Sequence, residues 1–154
     1  MNFPNFFEPK NSLKLYGLQE SFILLSNLYL NQNLPRVLMF TGNKGNGKST
    51  LVNHFLNSIF DSKNYDNKNY LISEKSIFYK QYKNNIFSNI IYINGSDFKS
   101  VKVDDIRTLK SKIFQSTILT KDRFIILDDV ELFNHNSLNA LLKVIEEPTK
   151  NNYF

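Results

Sequence analysis

Apolar residues follow two rhythms along this chain. Helical spacing marks Leu18–Leu30, where Leu18, Phe22, Leu25 and Tyr29 share a face, and Lys48–Phe60, where Leu51, Val52, Phe55, Leu56 and Ile59 do. It returns at Asn136–Glu146 with Leu138, Leu141, Leu142 and Ile145, and Pro148 stops that helix. Between these lie short apolar runs that read as strands: Val37–Thr41, buried over Val37–Phe40, then Ile90–Ile93, ended by the Asn94-Gly95 turn, and Arg123–Leu127. A further helix is predicted over Val103–Phe114. Asp104 and Asp105 suit the dipole of its first turn, and Ile106, Leu109 and Ile113 form its buried face. Tyr153-Phe154 opens another strand. Strands alternating with helices predict an α/β fold on a parallel sheet flanked by helices.

The stretch 61–89 breaks the rhythm. DSKNYDNKNY, 61–70, reads as a polar loop, and Ser73–Asn85 as a short helix capped by Ser73 with Ile77, Phe78 and Tyr82 facing inward. Its interleaved lysines and tyrosines suit nucleic-acid contact by charge and stacking. Nothing in the pattern gathers the aromatics onto one surface, so a solvated insertion is the simpler reading.

Composition narrows the class. The 154 residues, 42% hydrophobic, suffice for one globular domain with a core. The absence of cysteine excludes disulfides and cysteine-ligated zinc and makes a cytoplasmic setting the default. No membrane partner is expected, because the longest apolar-rich stretch, Phe22–Leu30, is short and interrupted by Ser26 and Asn27. The first ten residues, MNFPNFFEPK, lack the basic start and long apolar run of a secretory signal. A net charge of +5 admits a nucleic-acid partner, but the basic residues are scattered.

Chemistry concentrates at two places. Between the strand ending at Thr41 and the helix from Lys48 lies Gly42-Asn43-Lys44-Gly45-Asn46-Gly47-Lys48-Ser49-Thr50, the spacing of a P-loop. Glycines let such a loop turn successive N–H groups inward, and the helix N-terminus adds partial positive charge. In that pattern the loop cradles the phosphates of a nucleotide, Lys48 reaches the β- and γ-phosphates, and Ser49 ligates Mg²⁺. The second place is RFIILDDVELF, where an apolar strand ends in Asp128 and Asp129, at the carboxyl end of a strand, where ligands of open α/β sheets gather. It resembles a Walker B motif. Asp128 is expected to hold Mg²⁺ together with Ser49, and Asp129 to orient or deprotonate the attacking water. A hydrolytic site of this type usually has Glu at the second position, and Asp reaches about 1 Å less far, a misplacement that can cost ~10²-fold in rate. His54 and His135 show no nucleophile or metal partner and are read as structural; Arg107 is read as solvated, and Glu131 as capping or solvating the next turn.

Three segments in order, RVLMFTGNKGNGKST, VKVDDIRTLKSKI and FIILDDVELFNHNSLNALLKVIEEP, resemble the AAA+ ATPase module of bacterial DNA polymerase III clamp-loader subunits, most of all the delta-prime subunit. SLNALLKVIEEP after an acidic strand end is the most specific piece. The lead-in LYGLQESFILLSNLYLNQNLPRVLMFTG is similar to the family's first helix, with Gly17 in a loop that often borders the adenine. The resemblance implies a P-loop NTPase fold of AAA+ type, ATP and Mg²⁺ as cofactors, and a place among other clamp-loader subunits in a hetero-oligomeric ring. Such a ring loads a sliding clamp onto primer–template DNA. Gamma/tau motor subunits usually carry a four-cysteine zinc module after the first helix; 61–89 has none, and this, with Asp129, favours delta-prime over gamma/tau. In delta-prime the phosphate loop is often degenerate, whereas here it is complete.

The resemblance also implies that 1–154 is an N-terminal AAA+ domain incomplete at its C-terminus. The sensor residue, the Ser-Arg-Cys segment, the lid and the collar would fall beyond position 154. The family's fourth strand, which lies between the first and third, would start at Tyr153-Phe154, and without it the strands at Val37 and Arg123 face each other across a gap, with edges open to aggregation and poor stability as the result. Whether ATP is hydrolysed or only bound stays open at this level. A P-loop kinase of a small substrate is the alternative from another class, and it would need a lid arginine and an acceptor pocket that the sequence does not display. A DNA-binding protein without nucleotide use stands further off.

Overall fold

The computed structural model describes residues 8–95, 110–111, 113, 122–148 and 151–154. These residues form two compact units, one of residues up to Leu34 with Met39–Phe87, the other of Pro35–Leu38 with Ser88–Phe154.

The first unit is built on two helices. α1, Gln19–Leu30, buries Phe22 and Leu25, and α2, Lys48–Phe60, buries Leu51, Phe55 and Leu56; the other positions that the periodicity selects, Leu18, Tyr29, Val52 and Ile59, are half-buried. α2 also buries Asn53, His54 and Asn57, which helical spacing alone assigns to a solvated face. Each finds a partner. Asn53 Nδ2 donates to the Pro9 carbonyl at 3.1 Å, and Asn57 Nδ2 donates to the Asn53 carbonyl and Oδ1 at 2.9 and 3.0 Å. His54 contacts the Ser12 carbonyl and the Tyr65 hydroxyl. Buried polar groups with partners avoid the desolvation cost that would otherwise expel them.

The stretch 61–89 is more ordered than a polar loop. Tyr65–Asp66 (β1) pairs antiparallel with Leu71–Ile72 (β2), and Lys14 bridges to Leu71. Asp66 makes the connecting turn: its carboxylate accepts from the backbone N–H groups of Lys68 and Asn69 and from the Asn69 side chain. The following helix, α3, spans Ile77–Lys83 and is shorter than predicted. Its cap is Ser76, which accepts from the Tyr79 N–H at 3.0 Å, not Ser73. Phe78, Tyr79 and Tyr82 are buried, but Ile77 faces out. Phe78 lies against Phe60, Phe87 and Tyr82 at ring separations of 5.3, 4.8 and 5.9 Å. These aromatics are core, which removes them as a stacking platform for nucleic acid.

The second unit holds the parallel sheet. Ile90–Asn94 (β3) pairs with Arg123–Asp128 (β4) in the register Ile90↔Phe124 through Asn94↔Asp128, and β4 pairs with Asn152–Tyr153 (β5). The last helix, α4, spans His135–Glu146. Leu141 and Val144 pack with Ile113, Ile125 and Phe133 in one apolar cluster, with Leu138 and Ile145 at its margin. Leu142, predicted inward, is exposed. The predicted helix Val103–Phe114 and Arg107 lie outside the described residues, apart from helical Lys110, Ser111 and Ile113.

β5 lies between β4 and the segment 36–38, the order that the resemblance implies for a fourth strand. Phe154 N–H donates to the Arg36 carbonyl at 2.7 Å, and Leu38 N–H to the Phe154 carbonyl at 2.8 Å. The predicted strand Val37–Thr41 is otherwise not formed. Among the described residues only Phe154 supplies backbone partners to it, and Val37, Met39 and Phe40 are 41%, 79% and 38% exposed instead of buried. Apolar content marks this run as a strand, but a strand is buried only where neighbours cover both faces.

Candidate functional site

In the first unit the segment Gly42–Thr50 forms a loop that ends as the first turn of α2. Gly42, Gly45 and Gly47 have φ of 142°, 90° and 78°. Gly47 is the N-cap of α2 in the left-handed conformation, and no side chain caps the helix. A Cβ at Gly47 would also meet Leu18 Cδ1 at 2.9 Å, a side-chain end that can give, so it is the left-handed φ that favours glycine there. The opening N–H groups of an α-helix have no acceptor within the helix, and they carry its positive end. Lys48 folds back over the loop, its Nζ donating to the carbonyls of Gly42 and Asn43 at 2.9 and 3.0 Å. An ammonium and a set of uncapped helix amides thus converge on the loop, an arrangement that suits an anion with several oxygens.

An open cleft of about 560 Å³ adjoins the loop. One side is Gly45, Asn46, Gly47 and Thr50; the other is the lead-in Ser12, Lys14, Tyr16, Gly17 and Leu18. Gly17 turns the chain at φ 70°, and Tyr16 is 72% exposed. Lys14, Tyr16 and Leu18 stand in its lining together with glycine backbone, and the Lys14 ammonium lies 5.1 Å from the centre of the Tyr16 ring.

In the second unit β4 delivers Asp128 at its last position, followed by Asp129 and a 3-10 turn, Val130–Leu132. Both carboxylate oxygens of Asp128 are engaged: Oδ1 accepts from the Asp129 N–H at 3.1 Å, and Oδ2 from the hydroxyl of Tyr92 on β3. Tyr92 is paired with Ile126, two residues before Asp128, so both side chains lie on the same face of the sheet. Asp129 takes a left-handed backbone, φ 47° and ψ 46°, and its carboxylate does not cap the turn that follows. Gly95, at the end of β3, lies under this bend: a Cβ there would meet the Asp129 carbonyl oxygen at 2.4 Å. Among the described residues no group of three or more His, Cys, Asp or Glu side chains is placed to hold a metal ion.

Residues 17–154 match the family described as DNA polymerase III, delta subunit. The chain belongs to that family. Its relatives extend across the clamp-loader subunits and favour no single one. It is 24% identical over 91% of its length to the DNA polymerase III subunit gamma of Buchnera aphidicola subsp. Acyrthosiphon pisum, of which it covers 37%. It is 25% identical over 96% of its length to the subunit tau of Bacillus subtilis, covering 25% of that chain. A shorter stretch, 34% of this chain, is 38% identical to 16% of the subunit delta′ of Buchnera aphidicola subsp. Schizaphis graminum. The chain therefore spans little more than a third of the longer-matching relatives at most.

For this delta-subunit family member, the predicted phosphate-loop residues Gly42, Asn43, Lys44, Gly45, Asn46, Gly47, Lys48, Ser49 and Thr50 stand together in the first unit, and Asp128 and Asp129 at a strand end in the second. Sequence reasoning missed Tyr92 and Gly95, which shape the acidic turn; the Asn94-Gly95 pair read only as punctuation. His54 fits its structural reading: it is fully buried and doubly hydrogen-bonded, and burial lowers its pKa to about 4. His135 is exposed at the start of α4, beside Asn139 at 2.9 Å. No helix among the described residues is long and apolar enough to cross a membrane.

Proposed function

We propose that this chain is the nucleotide-binding part of a delta-prime-like clamp-loader subunit, an N-terminal AAA+ domain over 1–154 that binds ATP with Mg²⁺. In that role it serves a hetero-oligomeric ring that places a sliding clamp on primer–template DNA. The observation that carries the reading is the glycine loop: an uncapped helix start behind Gly47, with Lys48 poised over the carbonyls of Gly42 and Asn43. Magnesium in phosphate sites takes one or two protein oxygens and completes its shell with water and phosphate; the candidates are the Ser49 hydroxyl in the first unit and the Asp128 carboxylate in the second. Bound Mg²⁺ would neutralise charge on the β- and γ-phosphates; the loop amides and Lys48 would bind and orient the same phosphates. Tyr92, through its bond to Oδ2, holds the Asp128 carboxylate in one rotamer. Asp129 is the proposed water-positioning residue, with a carboxylate not spent on capping.

The cysteine-free 61–89 stretch and Asp129 in place of Glu support delta-prime over a gamma/tau motor. The small-substrate kinase is the reading that product analysis would favour if a phosphorylated small molecule appeared. In the full-length protein, Lys48→Ala should weaken binding of a fluorescent ATP analogue by ~100-fold or more, since it removes a desolvated cation–phosphate contact. Unchanged affinity would end the phosphate-loop reading. Asp128→Asn should weaken Mg²⁺-dependent binding more than metal-free binding; equal effects would take Asp128 off the metal.

A further inference from the structure

We propose that the 61–89 insertion braces the wall of the cleft opposite the glycine loop, with Tyr65 and His54 as its positioning residues; this rests on the nucleotide reading above. With phosphates at the glycine loop, the remainder of a nucleotide extends into the adjoining cleft, toward Tyr16, Gly17 and Leu18. That wall runs between the 3-10 turn Pro9–Asn11 and α1, and its Lys14, Tyr16 and Gly17 belong to neither, so other elements must fix it.

Two elements do. The β1–β2 hairpin holds the lead-in through one antiparallel bridge, Lys14 to Leu71: Ile72 N–H donates to the Leu13 carbonyl at 2.9 Å, and Leu15 N–H to the Tyr70 carbonyl at 3.1 Å. Helix α2 grips the same segment from its buried polar face, through Asn53 to the Pro9 carbonyl and His54 to the Ser12 carbonyl at 2.9 Å. A carbonyl only accepts, so His54 Nε2 carries the proton and Nδ1 is the acceptor that the Tyr65 hydroxyl reaches at 3.0 Å. Tyr65 thereby fixes the imidazole tautomer that holds Ser12. Its ring also stacks on Phe22 at 5.4 Å, on the helix that begins directly after the wall. His54 stands one helical turn beyond Thr50, which lines the cleft from the loop side.

Apolar packing alone would hold the lead-in without choosing its register, whereas directional bonds to the Pro9, Ser12 and Leu13 carbonyls choose one. A slip of one residue would turn Tyr16 away from the cleft. The insertion is thus tied to the base end of the cleft and not to its phosphate end.

The test compares two probes on the full-length protein with Mg²⁺: ATP and inorganic tripolyphosphate, each competing against a fluorescent ATP analogue. Tyr65→Phe removes one hydroxyl and should weaken ATP by ~3–10-fold, the worth of one buried hydrogen bond, with tripolyphosphate within about twofold. His54→Leu should do the same or more, and His54→Gln, whose amide also offers a donor and an acceptor, should restore most of the loss. Thermal midpoints measured alongside identify a variant that has unfolded, in which case the His54→Gln and His54→Leu contrast at lower temperature decides. Equal losses for both probes, or none for either, overturn the proposal. If wild type binds neither probe, or Lys48→Ala leaves tripolyphosphate binding unchanged, the nucleotide reading fails first and this inference with it.

Discussion

The glycine loop and the Asp128–Asp129 bend both place backbone in left-handed space, but by opposite means. The loop uses glycine at each such position, so Gly42, Gly45 and Gly47 adopt φ of 142°, 90° and 78° without a Cβ to obstruct them. The acidic bend puts the same kind of φ, 47°, on Asp129, and the glycine that makes room, Gly95, directly follows the neighbouring strand. A left-handed non-glycine residue costs roughly 1 kcal/mol or more and persists where surrounding structure over-determines it. The first turn owes its backbone to glycine at each left-handed position. The second is clamped, with Tyr92 on one oxygen of Asp128 and the Asp129 N–H on the other. Under the proposed function the first turn would cradle phosphate and the second would present a carboxylate already held by two hydrogen bonds.

Acid should separate the two units most. The first buries His54, whose pKa falls from 6.5 to about 4 through burial; the second has its described histidine, His135, exposed. Between those pH values the unfolded chain binds a proton that folded His54 does not, so stability rises with pH there. The contribution is complete above pH 6.5 and disappears as pH falls toward 4, about 3 kcal/mol in all. Hydrogen-exchange free energies of α2 amides should drop by that order between pH 7 and pH 4, and those of β3 and β4 by much less. A uniform drop, or none in α2, breaks the contrast.

Gly95→Ala comes next. Its Cβ would stand 2.4 Å from the Asp129 carbonyl oxygen and 3.1 Å from the Leu132 Cβ and Phe133 Cδ1, and only the ring has freedom to give. Loss of about 3 kcal/mol is expected in urea unfolding, the upper end for overpacking. Gly47→Ala should cost less, about 1–2 kcal/mol, because the obstruction at 2.9 Å is the movable end of Leu18 and the remainder is left-handed strain. The reverse order would mean that the loop, not the acidic bend, is the rigid turn.

Legibility followed the same physics. α1, α2, β3, β4 and α4 could be read because their apolar period spans several repeats, and the glycine loop because few residues other than glycine tolerate its backbone. The hairpin at Tyr65–Ile72 could not, since two-residue strands show no alternation. The buried face of Asn53, His54 and Asn57 could not either: Asn53 and His54 are satisfied by carbonyls distant in sequence, at Pro9 and Ser12, and Asn57 by Asn53 one turn back, and such side chains look identical to solvated ones in the sequence. The error at Val37–Phe40 has the opposite origin, an apolar run whose burial depends on neighbours that the run itself does not encode. At the candidate site Asp128 and Asp129 were visible as residues, but Tyr92 became meaningful only once the parallel register set it diagonal to Asp128.

The smallest effect is the most discriminating for the clamped turn. Asp129→Gly should relieve left-handed strain while adding backbone entropy to the unfolded state, so unfolding free energy should change by less than about 1 kcal/mol, with the gain the larger of the two. Turnover in the assembled complex, if Asp129 positions water, should fall while ATP-analogue affinity stays within about twofold, since the residue touches no phosphate in the proposed site. Asp129→Asn provides the control, because it keeps the strained backbone and removes only the charge. Matching losses of turnover in both variants would assign the role to the carboxylate; a loss confined to Asp129→Gly would assign it to the fixed backbone that aims Asp128. Should neither variant alter turnover while the Gly variant destabilises the chain, Asp129 is neither strained nor catalytic, and the contrast between a permissive and a clamped turn fails at the residue on which it rests.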